Sequence, residues 1–420
     1  MAQSQSSFDI AFVGNGAVGI AGALAMARLG YHVALVGPQA STTSPASADQ
    51  WDTRVYALAP STQQFLTRLG VWASLDRKRI APIHDIHVWQ GASSQMLAFE
   101  SAQVAQDRLA TIVEHKHLMH ALEDALRFVN VEQFHARATN LQAELTGAQL
   151  TLETGQIINA QLVVAADGVG SMVRQWAGIE AKRKDYPQRA VVANFACELA
   201  HEGRAYQWFL DEGVLALLPL PSMFVDGQTI HCVSMVWSAP TDLANQLGAL
   251  DPQQLSQRVE HASLAQLGRL TASQPARVVT IQHLLADHLV KGRVALAGDA
   301  AHSIHPMAGH GLNLGFGDVE YLVDVMSGQE RGGQDRGGQK RLDKNAQIAR
   351  QPDPGSAMLL RRYERARREP IAAMQSVTDG LFRLFYDAPK PVKLLRDIGW
   401  RLLGQSTQLR KQLIAQASNN

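Results

Sequence analysis

Three short segments place glycine or aspartate directly after an apolar stretch, where a strand would end and a turn begin. They are GNGAVG at 14–19, DG at 167–168 and GD at 298–299. Glycine permits a tight turn and close approach of a ligand to the backbone, and aspartate accepts hydrogen bonds. Because ligands in open α/β sheets bind outside the carboxyl ends of the strands, these segments predict a ligand site at that edge.

The first segment has the spacing of a dinucleotide-binding turn inside a β-α-β pattern that spans residues 8–36. In such a unit Gly14 makes the turn, Gly16 admits a pyrophosphate, and Gly19 lets the helix pack closely on the strand. The pyrophosphate would lie on the free amides at the helix N-terminus. The alternative is a glycine-rich turn that only packs the helix.

One residue of that motif is missing. An acid usually ends the second strand and accepts hydrogen bonds from the ribose hydroxyls, but the residue in that position is Gly37. Either a neighbour such as Gln39 or Ser41 binds the ribose, or the adenosine is held more loosely. The pyrophosphate end of the predicted site is unaffected.

Histidines cluster at two places with spacing that could suit metal ligands. The first group is His302, His305 and His310, and the second is His115, His117 and His120. For the first group we weigh a structural or hydrogen-bonding role, proton transfer, and a metal site, which would need further ligands and usually an acid. For the second group we expect a solvated helix face, because nothing nearby completes a metal shell.

Composition narrows the class of protein. The chain has 420 residues, of which 46% are hydrophobic and 18% charged, and its net charge is only +1. This length predicts two or three domains, and the charge balance gives no support for nucleic-acid binding. Two cysteines, Cys197 and Cys232, without a CxxC pattern are typical of buried thiols rather than of a metal site or a disulfide scaffold.

The charge is nevertheless unevenly distributed. Residues 356–420 contain twelve Lys or Arg and five Asp or Glu, so this end carries +7 and the rest of the chain −6. Apolar residues recur among these bases at helical spacing, namely Leu394, Leu395, Ile398, Leu402 and Leu403. A basic amphipathic helix suits an anionic membrane surface. The alternatives are a helix docked on its own domain and an interface with another subunit or partner.

Neither end of the chain predicts membrane insertion or export. The first residues, MAQSQSSFDIAFVG, lack a signal-peptide pattern, and no run approaches the ~20 apolar residues that span a bilayer.

A separate segment at 328–355 repeats GGQ among charges. It cannot bury enough apolar surface to order itself, which predicts a flexible loop insertion.

The three motifs, in this order and at these distances, resemble those of the group A flavoprotein monooxygenases. The third is long and specific, reading GDAAHSIHPMAGHGLNLGFGDVEYL over 298–322. DTRVYALAPSTQQFLTRLGVW, YPQRAVVANF and RRYERARREPIAAMQSVTDGLFRLF are further similar to the ubiquinone-biosynthesis hydroxylases. The resemblance covers nearly the whole chain except 328–355. It departs at Gly37 and at His310, where the family usually has glutamine.

The resemblance implies an α/β fold with a Rossmann-like FAD-binding domain of the para-hydroxybenzoate-hydroxylase type, a β-sheet substrate domain and C-terminal helices. The implied FAD-binding domain comprises 1–75, 105–180 and 275–327, and the substrate domain comprises 76–104 and 181–274. The insertion at 328–355 and the basic helical region at 356–420 complete the chain.

The resemblance also implies the residues that contact FAD. They are Gly14, Gly16, Ala17, Val18, Gly19, Arg54, Asp167, Gly298, Asp299, Gly309, Gly311, Leu312 and Asn313. Arg54 would lie near the phosphates and the ribityl chain, Asp299 would accept a ribityl hydroxyl, and amides near Leu312 would face the pyrimidine edge of the flavin. Pro306 and His310 are the implied catalytic residues beside the ring, and no metal is expected.

The implied activity is hydroxylation of the aromatic ring of a polyprenyl-phenol intermediate in ubiquinone biosynthesis, with NAD(P)H as a transient co-substrate. Dioxygen would react as a flavin C4a-hydroperoxide, so the cofactor carries the chemistry. Seven large apolar residues should divide about equally between core and substrate pocket, namely Tyr206, Trp208, Phe209, Leu215, Leu217, Leu218 and Pro219. Which of them face the pocket is left open by the sequence.

Two rival functions and several partners stay open. The rivals are a hydroxylase of a small soluble aromatic and a non-catalytic flavin-binding subunit of a biosynthetic complex. The expected location is cytoplasmic, with peripheral contact through 356–420 on the inner face of the membrane. Other ubiquinone-biosynthesis proteins or a second copy of the chain are further partners to consider, whereas nucleic acid is not.

Overall fold

The computed structural model describes residues 5–39, 51–91, 96–305, 309, 311–328, 351–386 and 400. Its strands are β1 (Gln5–Val13), β2 (Val33–Val36), β3 (Val55–Leu58), β4 (Ile80–Ile83), β5 (Asp85–Gln90), β6 (Met96–Glu100), β7 (Ala110–Glu114), β8 (Val131–Phe134), β9 (Ala138–Ala143), β10 (Ala148–Leu152), β11 (Ile157–Ala165), β12 (Ala181–Cys197), β13 (Arg204–Leu210), β14 (Gly213–Val225), β15 (Gln228–Pro240), β16 (Leu270–Ala272), β17 (Arg277–Ala286), β18 (Val290–Lys291), β19 (Val294–Leu296) and β20 (His302–Ser303). Its helices are α1 (Ala17–Arg28), α2 (Pro60–Arg68), α3 (His115–Leu126), α4 (Met172–Trp176), α5 (Thr241–Ala249), α6 (Pro252–Ala262), α7 (Gly311–Met326) and α8 (Ala357–Tyr386).

The first sheet has the strand order β18-β19-β11-β1-β2-β8, with β10 and β9 attached beside β11. Strands β19, β11, β1, β2 and β8 are parallel to one another along this path, whereas β18 pairs with β19 in the antiparallel direction. All four residues of β2 are buried, as expected for a parallel sheet covered on both faces. Helices α1, α3 and α7 pack on or beside it. The predicted β-α-β unit at 8–36 is therefore present as β1, α1 and β2.

The second sheet has the order β20-β17-β12-β15-β14-β13-β5-β6, with β16 beside β12. Its pairs are antiparallel except β13 with β5, which run parallel. Helices α5 and α6 cover one face, where Trp208 and Trp237 are fully buried. After β15 the chain forms these two helices in succession and then β16.

A small antiparallel sheet, β3-β7-β4, and the long helix α8 connect the two large sheets. The first half of α8 docks on the first sheet, where the Tyr363 hydroxyl donates to the Leu296 carbonyl oxygen at 2.6 Å. Its last turns dock on the second sheet, where Phe382 packs edge-on against Tyr186 with ring centroids 4.9 Å apart. One helix therefore holds both halves of the fold.

The domain boundaries stay a prediction, although the strands show where the chain crosses over. Strands β17 and β20 were expected with the FAD-binding domain, but both hydrogen-bond within the second sheet. Both cysteines are free and buried, as predicted, and burial raises the pKa of the Cys197 thiol to about 12. Within the described residues, no helix combines the length and apolarity needed to cross a bilayer.

The predicted insertion at 328–355 stays a prediction, because residues 329–350 lie outside the described part of the chain, whereas 351–355 contact the rest of the fold. Asp353 forms an ion pair with Arg293 at 2.6 Å, and the Gln351 side-chain amide donates to the Leu29 carbonyl oxygen. These contacts fix 351–355 on the first sheet. The predicted C-terminal helix is present over 357–386, whereas Leu394, Leu395, Ile398, Leu402 and Leu403 lie outside the described residues.

Candidate functional site

The predicted tight turn at Gly14 lies where β1, β2 and β11 end together. Its φ is +114°, and its N–H donates to the Val36 carbonyl oxygen at 2.7 Å. A Cβ on this residue would lie 2.2 Å from the Ala166 carbonyl oxygen. Both the backbone conformation and the neighbouring strand therefore require glycine at this position.

The N-terminus of α1 rises directly from this turn. A Cβ on Gly19 would lie 1.8 Å from the Gly14 carbonyl oxygen, so the helix packs as closely as the motif predicts. Gly16 is different, because it is exposed and a Cβ there would meet nothing within 4 Å. Its neighbours Ala17 and Val18 are the first residues of α1, so their amides and the helix dipole face this open surface.

Gly298, just after the end of β19, lies against the start of α1. Its φ is +61°, and a Cβ there would lie 3.2 Å from Val18 Cγ2. The same methyl group lies 2.7 Å from the Cβ position of Gly315 in α7. The turns at 14–19 and 298–299 therefore meet α7 at the Val18 side chain.

Asp299 follows at once and faces the same surface. Its side chain is exposed, yet it lies deep enough among protein atoms for desolvation to raise the pKa of its carboxyl, opposed by the charges of His302 and Arg54. An accessible carboxylate surrounded by protein on most sides marks a concave surface. A hydroxyl group would be a suitable partner for it.

Arg54 lies across that concave surface from Asp299, close enough to affect the pKa of its carboxyl. Its guanidinium group lies 5.5 Å from the centroid of the Tyr56 ring, and its side chain is exposed. The Tyr56 hydroxyl in turn contacts Nδ1 of His115 at 3.0 Å. A cation is thus available where the resemblance places phosphates.

The start of α7 closes this side of the site. The Asn313 side chain accepts from the Ala59 N–H at 2.9 Å and donates to the Ala57 carbonyl oxygen at 2.8 Å. Asn313 therefore ties α7 to β3, and its side chain is fully engaged. Gly309 has φ +63°, while Gly311 and Leu312 begin the helix. The predicted catalytic residues Pro306 and His310 lie outside the described residues.

The DG segment forms a capped turn beside the other two. Asp167 Oδ2 accepts from the Met172 N–H at 2.9 Å at the start of α4, whereas Oδ1 is buried without a partner among the described residues. Arg174, in the same helix, donates to the carbonyl oxygens of Ala300 at 2.7 Å and Val169 at 3.0 Å. Arg174 therefore fixes the DG turn to the GD turn, a role that the sequence reasoning missed.

We call the turns at 14–19, 167–168 and 298–299, together with the start of α7, the cradle.

A buried charge network behind the cradle was also missed. Asp318 in α7 accepts from the Gly298 N–H at 2.8 Å, contacts His302 Nε2 at 2.7 Å, and pairs with Arg367 of α8 at 2.7 Å. Burial alone would raise the pKa of the Asp318 carboxyl, but these partners together lower it. An acid among apolar residues in LNLGFGDV was the available signal, although its partner lies 49 residues away.

The second sheet turns one face toward the cradle. Gln188 contacts His305 Nε2 at 3.0 Å, and the Asn194 side-chain amide donates to the carbonyl oxygens of Trp51 and Asp52 at 3.1 Å each. Between these two tethers, Val192 is half-buried and aligned with Val236, which is also aligned with Ala216. We call this face the inner face and the face covered by α5 and α6 the outer face.

The strand register shows on which face of the second sheet each of the seven large apolar residues lies. Tyr206, Trp208, Leu215 and Leu217 belong to the core on the outer face. Pro219 alternates with Leu218 and shares the register of the outer face. Phe209 and Leu218 lie on the inner face. Five of the seven therefore lie on the outer face and two on the inner face, so the outer face holds more of them than the expected half.

The histidine groups have hydrogen-bonding partners. His302 and His305 are both buried, and burial lowers the pKa of His305 to about 4. The expectation of a solvated face holds only for His120, since His115 and His117 are half-buried and hydrogen-bonded to Tyr56 and to the Asp76 N–H. In the described part of the chain, no three His, Cys, Asp or Glu side chains are placed to hold a metal ion.

The residues of the cradle fit a flavin dinucleotide. The open surface over Gly16 admits a pyrophosphate at the N-terminus of α1, and Asp299 offers an acceptor within the concave surface. The orphaned Asp167 oxygen and the exposed Arg54 add one acceptor and one cation at its border. Phosphates, hydroxyls and a ring edge are the chemical groups that this set would bind.

Similarity to known proteins agrees with this fit. A family described as FAD binding domain matches residues 7–351. Ubiquinone hydroxylase UbiL of Rhodospirillum rubrum is 33% identical over 394 residues, which cover 93% of this chain and 85% of that protein. The 3-demethoxyubiquinol 3-hydroxylase of Escherichia coli is 29% identical over 420 residues, covering 97% and 98%. The solved structure of p-nitrophenol 4-monooxygenase PnpA from Pseudomonas putida covers 98% of both chains with a TM-score of 0.72 at 18% identity, which shows a shared fold.

Proposed function

The chain belongs to the ubiquinone-biosynthesis hydroxylases among the FAD-dependent aromatic monooxygenases, and we propose that it hydroxylates the ring of a polyprenyl phenol. The observation that carries the proposal is the position of the inner face, which contacts His305, between the GD turn and α7, through Gln188 and the segment just before Arg54 through Asn194. An apolar wall is thus placed opposite a flavin site. NAD(P)H and dioxygen are the co-substrates.

Within this proposal the cradle holds the cofactor. The amides of α1 would hold the pyrophosphate, Asp299 would accept from the ribityl chain, Arg54 would neutralise phosphate charge, and the amides at the start of α7 would bind the pyrimidine end of the ring. Bound FAD supplies electron transfer from NAD(P)H and the activation of dioxygen. The protein itself orients the phenol and excludes water.

The half-buried residues of the inner face perform that exclusion. Val192, Ala216 and Val236 adjoin one another across three strands and carry no polar side-chain atom. An aromatic ring packed against them would be held by apolar contact alone, so its position would depend on shape. This favours an apolar, ring-shaped substrate over a heavily charged one.

A shallow apolar crevice between α8 and the second sheet supports a prenylated substrate, with a cavity volume of about 10 Å³ in this structure. Its wall is apolar and aromatic, with Leu210, Val214, Phe382, Phe385 and Tyr386. Gln188, another lining residue, also contacts His305 two residues after β20. This volume is far below the ~300–1,000 Å³ of typical small-molecule pockets, so an isoprenoid tail would enter only by moving the lining side chains apart. We assign it to the isoprenoid tail.

One residue of the basic C-terminal region, Trp400, lies beside this crevice. Its ring packs edge-on against Phe209 at 6.3 Å and Phe385 at 6.2 Å. Arg361, Arg365 and Arg368 are exposed on one side of α8. These bases lie roughly 20 Å or more along the helix from the crevice. A basic surface on the helix that also borders an apolar opening suits peripheral contact with an anionic membrane, from which a prenylated phenol would be taken.

The decisive test is to purify the protein, record its flavin absorbance, and identify the product formed from a polyprenyl phenol with NAD(P)H and dioxygen. A ring-hydroxylated prenylated product is expected. Colourless protein that cannot be reconstituted with FAD would support a non-catalytic or unrelated role. Flavin-containing protein that hydroxylates only small soluble phenols would replace the substrate class and leave the cofactor assignment intact.

The crevice is tested by substitution. Leu210→Trp fills it and is expected to lower turnover of the prenylated substrate while leaving NAD(P)H oxidation with a non-prenylated phenol unchanged. Leu199→Trp, at an exposed position outside the crevice, is the matched control. Equal losses with both phenols would argue against a tail site.

A further inference from the structure

Gly37 stands where the fold usually places an acid, and the structure explains why no side chain is present. Its φ is outside the left-handed region, so its backbone conformation does not require glycine. The space beside it is occupied instead. A Cβ on Gly37 would lie 2.8 Å from Asn15 Cγ and 2.9 Å from Asn15 Oδ1.

The Asn15 side chain is held in this position from both ends of the turn. Its Nδ2 donates to the Pro38 carbonyl oxygen, directly after Gly37. The preceding residue, Gly14, donates its N–H to the Val36 carbonyl oxygen at 2.7 Å. The turn after β1 is thus joined to the end of β2 on either side of residue 37, and the Asn15 amide is fixed between them.

The fixed amide leaves one group free to bind a ligand. Nδ2 is engaged by the Pro38 carbonyl oxygen, so Oδ1 lies on the other side of the amide. This oxygen accepts no hydrogen bond from the described residues, and it can therefore accept one from a ligand. Asn15 is half-buried rather than enclosed. Its Oδ1 lies within 2.9 Å of the point from which an acid side chain at residue 37 would begin.

We infer that Asn15 replaces the missing acid and that its Oδ1 accepts a hydrogen bond from a hydroxyl of the adenosine ribose of FAD. This rests on the proposed binding of FAD and does not depend on which ring is hydroxylated. A neutral amide oxygen makes a weaker bond than a carboxylate. The two residues therefore form an exchangeable pair, in which the glycine at 37 makes room for the asparagine at 15.

The first experiment titrates apoprotein with FAD, with FMN, and with an FAD analogue that lacks the adenosine ribose hydroxyls. Asn15→Ala is expected to weaken FAD binding about 3- to 10-fold, the range of one lost hydrogen bond, and to leave FMN affinity unchanged. The wild-type protein should lose the same factor with the analogue, and Asn15→Ala should lose nothing more. Flavin fluorescence reports binding without turnover, so a failure of the proposed hydroxylation would not affect the result.

The second experiment moves the acid back. Gly37→Glu alone should lower both FAD affinity and thermal stability because of the contact with Asn15, whereas the double variant Asn15→Gly, Gly37→Glu should recover both. Gln39→Ala serves as the control, since Gln39 is exposed beyond Pro38, and its FAD affinity should equal that of the wild type.

Three results would overturn the inference. Asn15→Ala could bind FAD as tightly as the wild type, or it could lose FMN affinity equally, which would indicate a distorted phosphate turn. Alternatively, Gln39→Ala alone could reproduce the full loss, which would assign the ribose to Gln39.

Discussion

The cradle and the inner face of the second sheet border the same site but are constrained in opposite ways. In the cradle, backbone atoms approach one another so closely that Gly14 and Gly19 leave no room for a side chain. On the inner face, Val192 and Val236 are only half-buried. The cofactor site is therefore fixed by backbone geometry, whereas the substrate site is shaped by side chains that can be exchanged without rebuilding the fold.

The strongest way to break this comparison is to add a side chain inside the cradle. Gly14→Val would place a β-branched side chain at φ +114°, with its Cβ 2.2 Å from the Ala166 carbonyl oxygen. We expect a loss of about 5 kcal/mol or more in the free energy of unfolding, because strain and a backbone clash act together. Thermal unfolding and the yield of soluble protein measure it.

The matched variant is Gly16→Ala, two residues away, where a Cβ meets nothing within 4 Å. It should change the free energy of unfolding by no more than about 1 kcal/mol, the range of helix N-cap substitutions. Its FAD affinity should nevertheless fall, because the added methyl faces the surface assigned to the pyrophosphate. Similar stabilities for the two variants would remove the distinction between a packed turn and an open binding surface.

The support behind the cradle gives the next largest effect. Arg367→Met leaves Asp318 buried with only His302 and the Gly298 N–H as partners, and should lower the free energy of unfolding by about 3–5 kcal/mol. Arg365→Met, at an exposed position of the same helix, should change it little. Chemical denaturation of both variants tests this, and equal stability would mean that α8 does not support the GD turn.

The two faces of the second sheet should respond differently to truncation. Trp208→Ala on the outer face removes a fully buried side chain and should destabilise the protein by about 3–5 kcal/mol. Leu218→Ala on the inner face is half-buried, so its smaller effect on stability should come with a larger change in KM for the phenol. If Leu218→Ala changed stability as much as Trp208→Ala and left KM unaltered, the inner face would not be the substrate wall.

The cradle could be predicted from the sequence because its signals are local. Gly14, Gly19 and Gly298 each act within a few residues of a strand end, so spacing alone indicates their role. The faces of the second sheet could not be assigned, because alternation gives two faces without saying which one α5 and α6 cover. The parallel pairing of β13 with β5, which the sequence does not signal, fixes the strand order at that end of the sheet.

Long-range partners account for the rest. Asp318 and Arg367 lie in different helices, and Gln188 and His305 are 117 residues apart. No periodicity joins such pairs, and each side chain taken alone resembles an ordinary polar residue of a helix or strand. Asn15 was overlooked for a different reason, since its meaning depends on the absence of a side chain at Gly37.

The joint between the cradle and the inner face gives the smallest of these effects, and it depends on pH. Burial lowers the pKa of His305 from 6.5 to about 4, so the folded state favours the neutral ring that contacts Gln188. Its contribution to stability is complete above about pH 6.5 and is lost as the pH falls toward 4, by about 3 kcal/mol.

His305→Gln keeps a hydrogen-bonding side chain without this titration. The difference in unfolding free energy between wild type and variant should therefore shrink across that window and stay constant above pH 7. The exposed His120→Gln should follow the wild-type curve, which separates the buried joint from general acid sensitivity. Parallel curves for wild type and His305→Gln between pH 6.5 and 4 would show that His305 does not couple the inner face to the cradle through its neutral ring.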